Sequence, residues 1–214
     1  MRNKKTSQLP SPLYAIFDPS RARGRPPSPI LRQLLDGGVR IVQLRAKEMA
    51  ARDCLNLARE ARDLCHAAGC LLIVNDRVDI ALAARAGGVH LGQEDLPLYI
   101  ARKLMGRERI IGISTHDLAQ AREAEQGGAD YIGFGPIFGT TTKETGYSAR
   151  GLTMLKEIRQ AVSLPVVAIG GINENNVAQV WQAGADSAAI ISDLMGAYDV
   201  AEKVKRILAL RQTL

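Results

Sequence analysis

The 214-residue sequence predicts an α/β fold of the (β/α)8 TIM-barrel type, on three observations. Eight short apolar runs recur along the chain, amphipathic segments fill the gaps, and a glycine-centred turn precedes every second run. Strand followed by helix, eight times over, is the pattern of a closed parallel barrel, and about 200–250 residues commonly form one such domain. An open doubly wound sheet competes, but it supplies no reason for eight strands.

The first twelve residues, "MRNKKTSQLPSP", read as a polar tail ahead of a barrel domain over 13–214, and they lack the apolar core of a signal peptide. The predicted strands are "LYAIFD" (13–18), "RIVQLR" (40–45), "LLIVND" (71–76), "GVHLG" (88–92), "IIGIS" (110–114), "YIGFGPI" (131–137), "PVVAIGG" (165–171) and "SAAIIS" (187–192). Most lack polar alternation, as expected of strands covered on both faces in a parallel sheet. Between them, Leu57, Ala58, Ala61, Leu64, Cys65 and Ala68 fall on one side of a helix, and Val200, Val204, Ile207 and Leu208 do so near the carboxyl end. "GGV" (37–39), "GGV" (87–89), "GGA" (127–129) and "AGA" (183–185) precede strands two, four, six and eight. Glycine just past a helix takes the left-handed conformation that redirects the chain, so these mark helix-to-strand turns at the bottom of the barrel. The basic stretch "RARGRPP" (21–27) reads more readily as a disordered surface segment than as a loop that closes over the site, and both readings stay open.

Composition narrows the function classes. The hydrophobic fraction of 46% and charged fraction of 23% are those of an ordinary globular protein, and the 4% aromatic content implies an aliphatic core. The formal charge of +6, with Arg2, Lys4 and Lys5 in the tail, comes without a nucleic-acid-binding motif or stacking aromatics, which points to a small anionic ligand and no nucleic acid. Cys54, Cys65 and Cys70 are odd in number and lack C-x-x-C spacing, so they read as reduced thiols. No apolar run approaches ~18 residues, so no membrane span is expected and the expected location is the cytoplasm. The oligomeric state is left open, a homo-oligomer included.

Sites in such barrels lie at the carboxyl ends of the strands. The predicted exits carry Gln43, Arg45 and Lys47 after strand two, Asn75, Asp76 and Arg77 after strand three, and Gln93, Glu94 and Asp95 after strand four. Ser114, Thr115 and His116 follow strand five; Thr140, Thr141, Thr142 and Lys143 follow strand six; Gly170 and Gly171 follow strand seven, and Ser192 follows strand eight. Arg45 and Lys47 alternate on an extended segment and so share a face; alone they would read as a solvated loop. Asp76 and Asp95, each alone an N-cap candidate, end neighbouring strands roughly 5 Å apart, and magnesium is held by one or two carboxylates plus substrate phosphates. Jointly, among basic residues, the pair favours the metal. Gly170–Gly171, near the predicted start of a helix, offers bare N–H groups for a phosphate. "GFGPIFGTTTKETG" (133–146) passes from buried strand to hydroxyls and a cation, as a loop that holds an anion would. His66 reads as a surface residue, His90 as a satisfied core histidine, and His116 as an acid, a base or part of a helix start. Three histidines without metal spacing argue against zinc, and no Ser-His-Asp order or nucleophile elbow is evident.

"QLRAK", "NDRVDIALAARAGGVHLGQED", "GIST", "GADYIGFGPIFGTTTK", "PVVAIGGI" and "GADSAAIIS" together resemble the thiamine-phosphate synthase family in order and spacing, over nearly the whole chain from about residue 12. The resemblance implies a TIM barrel that joins hydroxymethylpyrimidine diphosphate to thiazole phosphate with release of pyrophosphate. It implies that Gln43, Arg45, Lys47 and Asn75 hold the pyrimidine diphosphate, with Leu44 and Ala46 in the same substrate-binding segment. Asp76 and Asp95 would bind Mg2+, and Ser114 and Lys143 would attend the diphosphate. Thr140 and Thr142, with Thr141 between them, would meet the thiazole, whose phosphate would sit near Gly171, Ile191 and Ser192. Arg45, Lys47, Ser114 and Lys143 are the expected catalytic residues. Two positions depart from the family pattern: Gly139 stands where proline is frequent, and Asp18 where threonine is common. A thiazole tautomerase of the same superfamily, using His116, is the nearest alternative; a noncatalytic phosphate-binding barrel is the other. Retention of Lys47, Asn75, Asp76 and Asp95 argues against the first, and the retained acid pair, which binding alone would not need, argues against the second.

Overall fold

The computed structural model describes residues 9–139 and 146–213. Eight parallel strands close into one barrel in chain order: β1 (Leu13–Phe17), β2 (Ile41–Leu44), β3 (Leu71–Asn75), β4 (Gly88–Leu91), β5 (Ile110–Thr115), β6 (Tyr131–Phe134), β7 (Val166–Ala168) and β8 (Ser187–Ile190). β1 pairs with β8 through Leu13 opposite Ala188, which closes the cylinder. Each predicted strand is present, and most are shorter at the carboxyl end than the apolar runs suggest. Asp18, Arg45, Asp76 and Gly92 leave the ladder to form the rim, whereas β5 runs one residue further, through Thr115.

The outer ring consists of α1 (Pro27–Asp36), α2 (Ala51–Ala67), α3 (Val78–Ala83), α4 (Leu98–Met105), α5 (Leu118–Gln126), α6 (Gly151–Ala161), α7 (Val177–Gln182), α8 (Ser192–Met195) and α9 (Val200–Gln212). On α2, Cys54, Leu57, Ala58, Ala61 and Cys65 are buried, the face expected from their spacing; Leu64 is half-buried and Ala68 caps the helix. Val200, Val204 and Ile207 do the same for α9. Burying such stripes against the aliphatic outer faces of the strands forms the main core, at about 25 cal/mol per Å² of apolar surface removed from water. A second cluster fills the barrel itself: Tyr14, Ile16, Ile41, Ile73, Tyr131, Val167 and Ala189, with Leu9 of the amino-terminal segment packed against it. All three cysteines are free and buried. No described helix is long and apolar enough to cross a membrane.

The turn repeat holds in three of its four places. Gly38, Gly128 and Gly184 have φ of +104°, +83° and +101° after α1, α5 and α7. Before β4 the left-handed residue is Arg85, φ +56°. There the glycines serve close packing instead, since a Cβ on Gly88 would stand 2.3 Å from Ile110 O.

The segment after β1 is ordered, contrary to the sequence expectation. Pro19–Arg21 form a short 3₁₀ turn capped by Asp18, and Ala22 is buried. Arg25 donates Nη1 to Ala197 O at 2.8 Å and Nη2 to Met195 O. A guanidinium that satisfies carbonyls at the end of α8 fixes a stretch that its composition alone marks as loose.

Candidate active site

A cavity of about 580 Å³ opens at the carboxyl ends of the strands. Its floor is the upper part of the barrel cluster, with Tyr14, Ile16, Tyr131, Val167, Ile169 and Ala189 on its walls. Of the residues expected at the site, Gln43, Arg45, Asn75, Asp76, Ser114, Gly171, Ile191 and Ser192 line it. They come from strands far apart in the chain, brought together because each stands at an exit on one rim.

β2 alternates inward and outward. Gln43 faces the barrel interior, where Nε2 donates to Tyr14 Oη at 3.0 Å, and Arg45 reaches the cavity from the next inward position. Leu44 points the other way and is buried in the core beneath the helices, and Ala46 packs against that same core. The strand's two-residue period thus carries the side chains of Leu44 and Ala46 away from the cavity. Arg45 pairs with Asp18 at 2.5 Å, and Lys47 with Asp76 Oδ2 at 3.0 Å.

Neither acid is a helix cap. The residue before α3 is Arg77, and α4 begins behind Pro97. Asp76 adopts φ +60°, a left-handed pose that aspartate tolerates better than most residues, while its N–H donates to His90 O at 2.8 Å. Asp95 folds back over the β4 exit, where Oδ2 accepts from Gly92 N at 2.6 Å. Burial first, and then the carboxylate of Asp76 held against it, raise the Asp95 carboxyl above the usual carboxylate range. Two acids from adjacent strands therefore converge, as their spacing implies.

The opposite wall is built differently from the sequence expectation. Gly170 and Gly171 have φ of +89° and +67°, but α7 begins only at Val177. The helix start nearest the cavity is that of α8, which opens at Ser192. Gly171 has no room for a side chain: a Cβ would lie 2.6 Å from Gly139 O.

His66 is exposed on α2. His90 is buried with Nδ1 2.9 Å from Tyr131 Oη and Nε2 2.9 Å from Ser114 Oγ, a satisfied core histidine that also borders the cavity. His116 is buried on the cavity wall, its Nδ1 2.6 Å from Gly135 O and its ring stacked on Tyr147 at 3.9 Å between centroids. A carbonyl only accepts, so Nδ1 of His116 carries the proton. Thr140, Thr141, Thr142 and Lys143 lie outside the described residues. Sequence reasoning missed Tyr14, Tyr131 and the cavity-facing side of His90; inward-facing phenols had no polar alternation around them to give them away.

The chain matches the family described as thiamine monophosphate synthase over residues 13–194. A thiamine-phosphate synthase from Moorella thermoacetica is 48% identical over 195 residues, covering 91% of this chain and 93% of that one. Another, from Chloroflexus aurantiacus, is 46% identical over 198 residues, covering 92% and 91%. The solved structure of thiamine phosphate pyrophosphorylase from Pyrococcus furiosus superposes with a TM-score of 0.86 at 38% identity, covering 94% of this chain and 95% of that one. With the barrel, its rim and these similarities in agreement, the chain belongs to the thiamine monophosphate synthase family.

Proposed function

We propose that this protein is a thiamine-phosphate synthase, a transferase that joins hydroxymethylpyrimidine diphosphate to thiazole phosphate and releases pyrophosphate. The observation that carries the reading is the meeting of Asp76 and Asp95 at the rim, with Lys47 on one carboxylate and Arg45 close by on the same wall. Like charges in contact are unfavourable unless a cation lies between them. Among the described residues no third His, Cys, Asp or Glu joins them, so the remaining oxygens for a magnesium ion would come from substrate phosphate, the usual arrangement for that ion. Bound there, Mg2+ would neutralise charge on the departing diphosphate.

The protein's own groups account for the rest. Arg45 and Lys47 supply fixed positive charge toward the diphosphate, and Asn75 and Ser114 supply hydrogen bonds beside it. As the bond between the pyrimidine methylene carbon and oxygen breaks, the electron pair leaves with pyrophosphate, and the electron-rich aminopyrimidine carries the resulting cation. The thiazole nitrogen then donates its lone pair to that carbon. Gly171 and the start of α8 at Ser192 hold the thiazole phosphate on the facing wall, so both substrates are aligned in one cavity. Alignment of this kind is worth several kcal/mol. Such a substitution asks for little nucleophile activation, in keeping with a rim rich in cations and hydroxyls.

Purified protein given both substrates and Mg2+ is expected to release pyrophosphate, and chelation to stop it. Asp76→Ala is expected to lower turnover by about 10²–10³-fold, the scale of removing one preorganised charge-stabilising group, while thiazole phosphate still binds. Full activity in that variant would remove Asp76 from the mechanism. Isomerisation of the thiazole alone, without coupling, would favour the tautomerase reading, for which buried His116 on the cavity wall is the supporting observation.

A further inference from the structure

A chain of hydrogen bonds crosses the barrel beneath the cavity and joins two of its walls. It runs from Gln43 Nε2 to Tyr14 Oη (3.0 Å), to Tyr131 Oη (2.8 Å), to His90 Nδ1 (2.9 Å), and from His90 Nε2 to Ser114 Oγ (2.9 Å). All five side chains are buried, the most open being His90 at 7%. Burial pushes both phenols well above their ordinary range, so each keeps one proton to donate.

The direction of the chain follows from its first member. An amide nitrogen only donates, so Tyr14 Oη accepts from Gln43 and spends its own proton on Tyr131. Tyr131, having accepted, donates to His90 Nδ1. A neutral imidazole with an accepting Nδ1 carries its proton on Nε2, and that proton goes to Ser114 Oγ. We propose that this relay locks His90 as the Nε2–H tautomer and leaves the Ser114 hydroxyl proton to be donated into the cavity. Ser114 is thereby a standing donor for an anionic oxygen, and Tyr14, Tyr131 and His90 are positioning residues that set its polarity. The identity of that oxygen, one of the substrate's diphosphate, rests on the synthase reading; the tautomer does not.

Two measurements test it, the first on the ligand-free protein. Long-range proton–nitrogen spectra of ¹⁵N-labelled protein, with the His90 signals assigned by their loss in His90→Gln, are expected to show an unprotonated Nδ1 and a protonated Nε2. An Nδ1–H tautomer or a doubly protonated ring would overturn the proposal. Gln43→Glu replaces the amide donor with a carboxylate that only accepts, so every bond should reverse and the ring should become Nδ1–H; an unchanged tautomer would refute the relay. Should that variant fail to fold, the wild-type spectrum decides the direction by itself. The second measurement is kinetic. Tyr131→Phe is expected to lower kcat for pyrophosphate release about tenfold with little change in KM, and to have no further effect in a Ser114→Ala background. An unchanged kcat, or an equal additional loss in that background, would show that Tyr131 does not act through Ser114. If the synthase reading itself fails, wild type shows no turnover while the spectra stay as expected, so the two failures are distinguishable.

Discussion

Asp18 divides its two oxygens between structure and site. Oδ1 accepts from Ser20 N at 3.0 Å and Ser20 Oγ at 2.6 Å, and Oδ2 takes Arg45 Nη1 at 2.5 Å. With 2% of its side chain exposed against 15% for Arg45, the pair lies where water screens it little. Breaking such a pair leaves an uncompensated charge, and losing a cap adds to that. Asp18→Ala is therefore expected to lower stability by about 2–4 kcal/mol in denaturant unfolding. Asp18→Asn keeps an oxygen for the cap and loses the charge, so it is expected to be the milder change to the fold while still raising KM for the diphosphate as Arg45 loses its orientation. From the sequence, Asp18 was visible only as a departure from the family pattern at the end of the first strand. Its partner lies 27 positions away, and no local signal links the two. The convergence of Asp76 and Asp95, by contrast, was legible, because adjacent strands in a parallel sheet bring their exits together whatever the sequence between them.

At the scale of elements, the barrel interior depends on where side chains are missing. Gly112 on β5 stands beside Tyr131 on β6. A Cβ there would lie 2.0 Å from Tyr131 Cζ, so only a strand without a side chain at that point admits the ring. Gly133 does the same for His90, whose Cε1 would be 2.9 Å from an added Cβ. Gly112→Ala is expected to destabilise the fold by about 1–3 kcal/mol or more, because both backbone and ring are held on all sides. It should also cut activity by displacing Tyr131 from Tyr14 and His90. Combining it with Tyr131→Leu should recover part of the stability but not the activity, a coupling that a double-mutant cycle in thermal or urea unfolding would measure. These glycines show why the strands were easy to find and their inner faces were not. In strands covered on both sides the inward and outward residues are equally apolar, so "IIGIS" and "YIGFGPI" announce strands without saying which residues enter the barrel. The helical stripes of α2 and α9 carried more, since only one of their faces is dry. The gap between Gly171 and Val177 hid in "INENN", whose Asn173 and Asn176 build a turn of their own: Asn173 N donates to Asn176 Oδ1 at 2.8 Å.

Across the whole molecule, a charged network joins the wall that would hold the thiazole phosphate to the last helix. Glu174 lies in the connection from β7 to α7, Asp193 in α8, and Lys203 and Arg206 in α9. Lys203 Nζ is 2.8 Å from both Glu174 Oε2 and Asp193 Oδ1, Arg206 Nε is 2.8 Å from Glu174 Oε1, and Glu174 N donates to Asp193 Oδ2 at 2.8 Å. Three segments that meet behind Gly171 and Ser192 are thus tied to one another, and α9 packs in turn on α1. Arg206 first, and then Lys203, hold the Glu174 carboxyl below the usual range. A depressed value in the folded state means stability that is present above the unfolded carboxylate value, near ~4.3, and is lost as pH falls through the lower folded value. Glu174→Gln is accordingly expected to cost less than about 1 kcal/mol near neutral pH, as befits a part-exposed pair. The difference from wild type should shrink toward zero in urea titrations repeated at about pH 3. Because the network braces the wall proposed for the thiazole phosphate and not the carboxylate rim, the same variant should raise KM for thiazole phosphate more than for the pyrimidine diphosphate. An equal rise for both substrates would mean that the bracing extends around the entire mouth of the barrel.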